Sequence, residues 1–64
     1  MLIDIRSAHE IRIGHIVKTY RDEVGLLTMA RASEGKSGRV YVRFPGRDDD
    51  CELFPSVIGA RFVA

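Results

Sequence analysis

The chain has a single cysteine and no long apolar run, and its basic and acidic residues nearly cancel. Cys51 has no second cysteine with which to form an internal disulfide, which is typical of an intracellular protein, so we expect a cytoplasmic location. No segment approaches the roughly 20 apolar residues that span a bilayer, and the charged residues from Asp4 onward predict no signal peptide. Ten Lys and Arg residues against nine Asp and Glu residues exclude a strongly basic tail that binds nucleic acid.

Motifs for catalysis and metal binding are also missing. His9 and His15 lack the spacing and the further ligands of a zinc site, and Cys51 lacks the signature of a nucleophile with its base. The acidic run at 48–52 lacks the ligand spacing of a calcium loop, so it is interpreted as a solvated loop or as a balance for nearby arginines. We therefore expect no enzyme, no metal, no cofactor and no small-molecule substrate.

The 64 residues do contain the pattern of one small β domain. Over residues 38–44, Val and Phe alternate with Arg and Tyr, which predicts a half-buried strand whose apolar side chains face inward. Residues 26–33 also favour a strand, with Leu26 and Thr28 on the inner face and Leu27 and Met29 on the other. Between these strands, EGKSG at 34–38 is typical of a hairpin loop.

Shorter elements flank the two central strands. Residues 51–54 and 60–64 predict two further strands, with one helical turn between them that Ser56 caps and Gly59 ends. The Pro45–Gly46 pair predicts a type II turn, and residues 2–6 are a candidate strand. Residues 8–20 fit both a helix and a strand, and Gly14 with its β-branched neighbours favours strand or irregular structure over 10–20.

This arrangement resembles the small five-stranded barrels of the Src-homology-3-like group, including KOW and Tudor-type modules. The segments that carry the resemblance are RIGHIV at 12–17, VGLLTMA at 24–30, RVYVRFPG at 39–46 and CELFPSVIGARFV at 51–63. The resemblance covers residues 10–64 and implies a mostly β fold, a small five-stranded barrel with a one-turn helix before the last strand. Residues 1–9 lie outside the pattern and are interpreted as an extra edge strand or arm of the same domain.

One candidate binding surface is polar. If the valines of residues 38–44 point inward, Arg39, Tyr41 and Arg43 point outward together, and Arg31 on the neighbouring strand lies beside them. Guanidinium groups bind phosphates, and an exposed tyrosine can stack on an unpaired base. The pattern fits nucleic-acid binding as well as an ordinary solvated strand face.

The second candidate surface is apolar. Ile16, Leu27 and Met29 fall on strand faces opposite to the predicted core, and a chain of this size cannot bury both faces of its strands. Either the N-terminal strand covers this second face or a partner does, and we therefore expect a protein partner or a second copy of the chain. The sequence predicts a non-catalytic module for protein–protein interaction, an adaptor or a regulatory accessory protein, with a nucleic-acid-binding module as the alternative.

Overall fold

The computed structural model describes residues 1–63 as a small, mostly β domain of six antiparallel strands. The strands are β1 (Leu2–Asp4), β2 (Ile16–Lys18), β3 (Val24–Ser33), β4 (Lys36–Arg43), β5 (Cys51–Leu53) and β6 (Ala60–Phe62). A 3-10 turn (Pro55–Ile58) lies between β5 and β6. Residues 8–20 contain only the short strand β2, and the predicted end of the last strand at position 64 lies outside the described residues.

The strands form two sheets rather than a closed barrel. The large sheet has the order β2-β3-β4-β5, and β1 pairs with β6 in a separate two-stranded sheet. The predicted mostly β fold with a short helical turn before the last strand is therefore confirmed, while the residues that the structure describes form no closed barrel. Strands β2, β5 and β6 have three residues each, and strands this short make few ladder bonds. Pro55, which lacks a ladder N–H, ends β5 before the 3-10 turn leads to the other sheet.

The 3-10 turn begins one residue earlier than the predicted cap. Pro55 occupies its first position, so Ser56 lies inside the turn, and Phe54 precedes it without a capping side-chain hydrogen bond. Gly59 ends the turn in the left-handed region, with φ 66°, and its N–H donates to the Ser56 oxygen at 3.1 Å. The predicted end of this turn is therefore confirmed, and the predicted cap at Ser56 is wrong.

A β-bulge at Thr28 changes which side chains of β3 face inward. Leu27 pairs with Val42 and Met29 pairs with Tyr41, so β3 has one more residue than β4 over this step. The Thr28 hydroxyl donates to the Tyr41 backbone oxygen at 3.1 Å and gives the irregular site a hydrogen bond. Leu27 therefore faces inward before the bulge, and Met29 faces outward after it.

On the N-terminal side of this bulge, the inner and outer faces of β3 are the reverse of those predicted. Leu27 is fully buried and Leu26 is 39% exposed, which is the reverse of the sequence expectation. Simple alternation assumes an uninterrupted strand, and one extra residue moves every earlier side chain to the other face. After the bulge the prediction is correct again, because Ala30 packs against the core.

The two sheets share one small core on the inner face of the large sheet. Its buried members come from both sheets and from the 3-10 turn: Leu2, Val17, Leu27, Val40, Val42, Ile58 and Ala60. Val40 and Val42 have no exposed surface, which confirms the inward alternation of β4. Ile13, in contrast, is 63% exposed, because it lies in the loop before β2.

Gly38 allows the small sheet to approach the large one. It lies in β4 at a second register irregularity, so the predicted five-residue hairpin loop is shorter and β4 already begins at Lys36. A Cβ on Gly38 would lie 2.6 Å from the Arg31 backbone oxygen and 2.8 Å from the Phe62 ring. With φ at +79°, this position requires glycine for its backbone and for its contacts.

Replacing each of the two adjacent leucines tests the bulge. Leu27→Ala is expected to lower the free energy of unfolding by about 2–5 kcal/mol, because it leaves a cavity in the core. Leu26→Ala, on the exposed face, is expected to cost about 0.5 kcal/mol. Urea denaturation of both variants measures the difference, and a larger loss for Leu26→Ala would contradict the register described above.

A pair of glycine substitutions tests the close approach at β4. Gly38→Ala is expected to cost about 3 kcal/mol, because it combines a left-handed backbone with a clash against Phe62. Gly35→Ala is the matched control, since its φ is +70° and a Cβ added there would meet no atom within 4 Å. That control is expected to cost about 1 kcal/mol, the backbone contribution alone. Equal losses in urea denaturation would argue against the sheet contact at Gly38.

Candidate functional site

The outer face of the large sheet carries the candidate binding residues, because its inner face forms the core. One part of this face, the apolar half, consists of Ile16, Val24, Leu26 and Met29. The other part, the polar half, consists of Arg31, Arg39, Tyr41, Arg43 and Glu52. The two halves adjoin, since Leu26 pairs with Arg43 and Met29 pairs with Tyr41.

The apolar half is well exposed. Ile16 is 68% exposed and Val24 is 48% exposed, and Leu26 and Met29 are each exposed at 39%. Ile16 lies directly opposite Leu26 in the ladder between β2 and β3. Large aliphatic side chains grouped in this way on a small protein make this half a candidate docking surface.

An open groove of about 370 Å³ runs along this half. Ile16, Val24 and Leu26 line it together with the turn at residues 44–47. The Arg47 N–H donates to the Phe44 oxygen at 3.2 Å and Gly46 has φ +80°, as the Pro45–Gly46 pair predicts. The lining of the groove therefore combines apolar side chains of β2 and β3 with a hydrogen-bonded turn.

The sequence identified part of this surface. Ile16 and Met29 lie in the apolar half, whereas Leu27, predicted beside them, is in the core. Val24 and Leu26 were missed as exposed residues. No signal in the sequence could have found them, because the bulge at Thr28 exchanges the faces of β3 on its N-terminal side and is defined only by the pairing with β4.

The polar half contains internal pairs. The Tyr41 hydroxyl donates to Glu52 Oε2 at 2.8 Å, and Arg39 Nε lies 3.8 Å from Glu52 Oε1. Arg43 Nε donates to Asp50 Oδ1 at 3.0 Å. Two carboxylates from the acidic run 48–52 therefore reduce the positive potential of this face, which leaves a weaker electrostatic footprint for a nucleic acid.

Aromatic rings also contact the arginines. The Arg31 guanidinium carbon lies 6.0 Å from the centre of the Tyr41 ring, and that of Arg39 lies 4.2 Å from the centre of the Phe54 ring. The Tyr41 ring thus has a cation at its face and a hydrogen bond at its hydroxyl. It is less open to base stacking than the sequence predicted.

The surroundings of His15 and Cys51 are local. His15 Nδ1 accepts a hydrogen bond from the Arg12 N–H at 3.2 Å, and the Cys51 thiol is free and half-buried. Within residues 1–63, no three His, Cys, Asp or Glu side chains are arranged to hold a metal ion. The same residues include no helix with the length and apolar character needed to cross a membrane.

Comparisons with protein-family models, curated proteins and solved structures found no match to this chain. The interpretation of both halves of the sheet therefore depends on their own geometry.

The contact between Tyr41 and Glu52 has a measurable consequence. The hydrogen bond to the carboxylate raises the pKa of Tyr41, because the nearby negative charge favours the protonated phenol. In a Tyr20→Phe background, where Tyr41 is the only tyrosine, Glu52→Gln is expected to lower that pKa. Ultraviolet absorbance titration measures it. Asp49→Asn, which removes a charge that contacts Arg47 instead, is the control, and an equal shift in that variant would contradict the assignment.

Proposed function

We propose that this chain is a non-catalytic protein-binding module and that the apolar half of its large sheet is the docking surface. Its fold is proposed to be a partly open arrangement of the SH3-like type. The order of elements supports this: β2 to β5 follow one another across one sheet, a 3-10 turn comes next, and β6 returns to pair with β1.

The exposed apolar side chains of β2 and β3 are the observation that carries this proposal. Ile16, Val24 and Leu26 cannot reach the core, because the inner face of the same strands already fills it with Val17 and Leu27. Covering them with a partner removes apolar surface from water, and each Å² of apolar surface buried contributes about 25 cal/mol to the free energy of binding. The partner is a protein that presents apolar side chains to the groove, and a second copy of the chain meets this description.

The rim of the groove favours a protein partner over a nucleic acid. Arg43 and Arg47 lie beside the groove, and each contacts an aspartate, at 3.0 Å for Asp50 and 3.9 Å for Asp49. Alternating charges of this kind form a polar rim that excludes water around an apolar centre. A track for a nucleic-acid backbone instead needs successive uncompensated cations.

Aspartate substitutions at two exposed isoleucines test the docking surface. Ile16→Asp is expected to weaken partner binding by at least about tenfold, because it places a charge within the apolar half, directly opposite Leu26. Ile5→Asp is the matched control, since Ile5 is also exposed, at 54%, but follows β1 in the other sheet. Sedimentation velocity of the purified chain detects self-association, and cross-linking in native extract followed by mass spectrometry detects other protein partners.

The comparison of variants decides the outcome. The proposal requires that the wild type and Ile5→Asp bind the same partner, and that Ile16→Asp, still folded by circular dichroism, does not. Equal binding by all three proteins would contradict it. Binding that nuclease treatment or the double variant Arg39→Gln/Arg43→Gln abolishes, while Ile16→Asp leaves it intact, would instead support a nucleic-acid-binding function.

A further inference from the structure

We propose that a second site, at the hairpin end of β3 and β4, binds a single phosphate group. Its ligands are the side chains of Arg31, Lys36 and Arg39. The ligand class is inorganic phosphate or a phosphomonoester. This site lies outside the apolar half, so it is independent of the proposed docking surface.

The site is an open groove of about 370 Å³ on the outer face of the hairpin. Three cationic side chains line it, and no carboxylate does: the lining residues are Arg31, Ala32, Ser33, Lys36, Gly38, Arg39 and Tyr41. Within residues 1–63, Arg31 and Lys36 form no ion pair, and Arg39 has one long contact, 3.8 Å, to Glu52 outside the groove. The positive charge of this groove is thus only weakly compensated.

The register of the hairpin brings the cations together. Arg31 lies directly opposite Arg39 in the ladder, and Ser33 lies opposite Lys36 in the next pair. Between these two pairs, β4 has one more residue than β3, at the irregularity near Gly38. This extra residue places Arg39 directly opposite Arg31. Like charges directly opposite each other in a sheet are unfavourable. An anion bound between the two guanidinium groups would convert this repulsion into two attractive contacts.

Local contacts restrain both arginines. Arg39 Nη1 donates to the Gly38 backbone oxygen at 2.8 Å, and its guanidinium carbon lies 4.2 Å from the centre of the Phe54 ring, which follows β5. The Arg31 guanidinium carbon lies 6.0 Å from the centre of the Tyr41 ring. A guanidinium group has five N–H donors, so these contacts leave donors on both side chains for the oxygens of a phosphate.

The distribution of charge favours one phosphate over a nucleic-acid strand. Moving along the sheet from the hairpin, the next outward pair on β4 and β5 is Tyr41 with Glu52, and beyond it Arg43 contacts Asp50. The weakly compensated cations are therefore confined to one end. A backbone that followed the sheet would meet carboxylates after its first phosphate.

Titration with inorganic phosphate, followed by ¹⁵N NMR of the backbone amides, tests the site. Amides at Ser33 and Gly38 are expected to shift with phosphate but not with sodium chloride at matched ionic strength. The double variant Arg31→Gln/Arg39→Gln is expected to weaken binding by at least about tenfold, since each lost contact is a charge-assisted hydrogen bond. Arg43→Gln/Arg47→Gln removes the same charge at the other end and is expected to leave binding unchanged.

Further probes identify the source of the phosphate. O-phosphoserine that binds at least as well as inorganic phosphate assigns the site to phosphomonoesters, and weaker binding assigns it to the free ion; both results support the proposal. Absence of shifts, or equal losses in both double variants, would overturn it. So would tight binding of an oligothymidylate that the Arg43→Gln/Arg47→Gln variant also loses, because that result requires a backbone track along the whole face. Lys36→Gln provides a second, single-site variant, and urea denaturation checks that every variant is folded.

Discussion

The register shift at Thr28 is the constraint on which the rest of the molecule depends. It sends Leu27 into the core and turns Leu26 and Met29 to the outer face, so one inserted residue decides both the packing and the exposed surface. The hydrogen bond from the Thr28 hydroxyl to the Tyr41 backbone oxygen links β3 to β4 at this interruption of the ladder. A bulge that re-aims side chains near a binding surface is a recurrent use of this irregularity in sheets.

Because the chain is small, the side chains that the bulge turns outward stay exposed on the outer face of the large sheet. A chain of 64 residues can fill only one core, and here two sheets share it from facing sides. Every strand of the large sheet therefore has one face in the core and one in water. Apolar side chains on the outer face, such as Ile16, add little to the packing of the monomer, and this is the reason for the proposal that another molecule covers them.

The sequence predicted what depends on neighbouring residues. The alternation that buries Val40 and Val42 and turns Arg39, Tyr41 and Arg43 outward was readable, as was the turn at Pro45–Gly46. Two other features could not be predicted from the sequence, because they depend on contacts between residues distant in the chain. The bulge at Thr28 is defined only against β4, and β1 gains its role only by pairing with β6 at the other end of the chain. For the acidic run 48–52, the sequence left two interpretations open, a solvated loop or a balance for nearby arginines. The structure places Glu52 beside Arg39 and Asp50 beside Arg43, which supports the second interpretation.

Charge is separated along the outer face, and this explains how two different contacts can share one small sheet. At the hairpin end, Arg31, Lys36 and Arg39 line a groove that has no carboxylate, whereas Arg43 near the other end has Asp50 beside it. A protein on the apolar half meets a nearly neutral rim, so apolar burial determines its affinity more than charge does. An anion is attracted to the hairpin end instead. The two halves meet at two ladder pairs, Leu26 with Arg43 and Met29 with Tyr41, so an effect of a ligand in one half on the other half is expected to pass through these pairs.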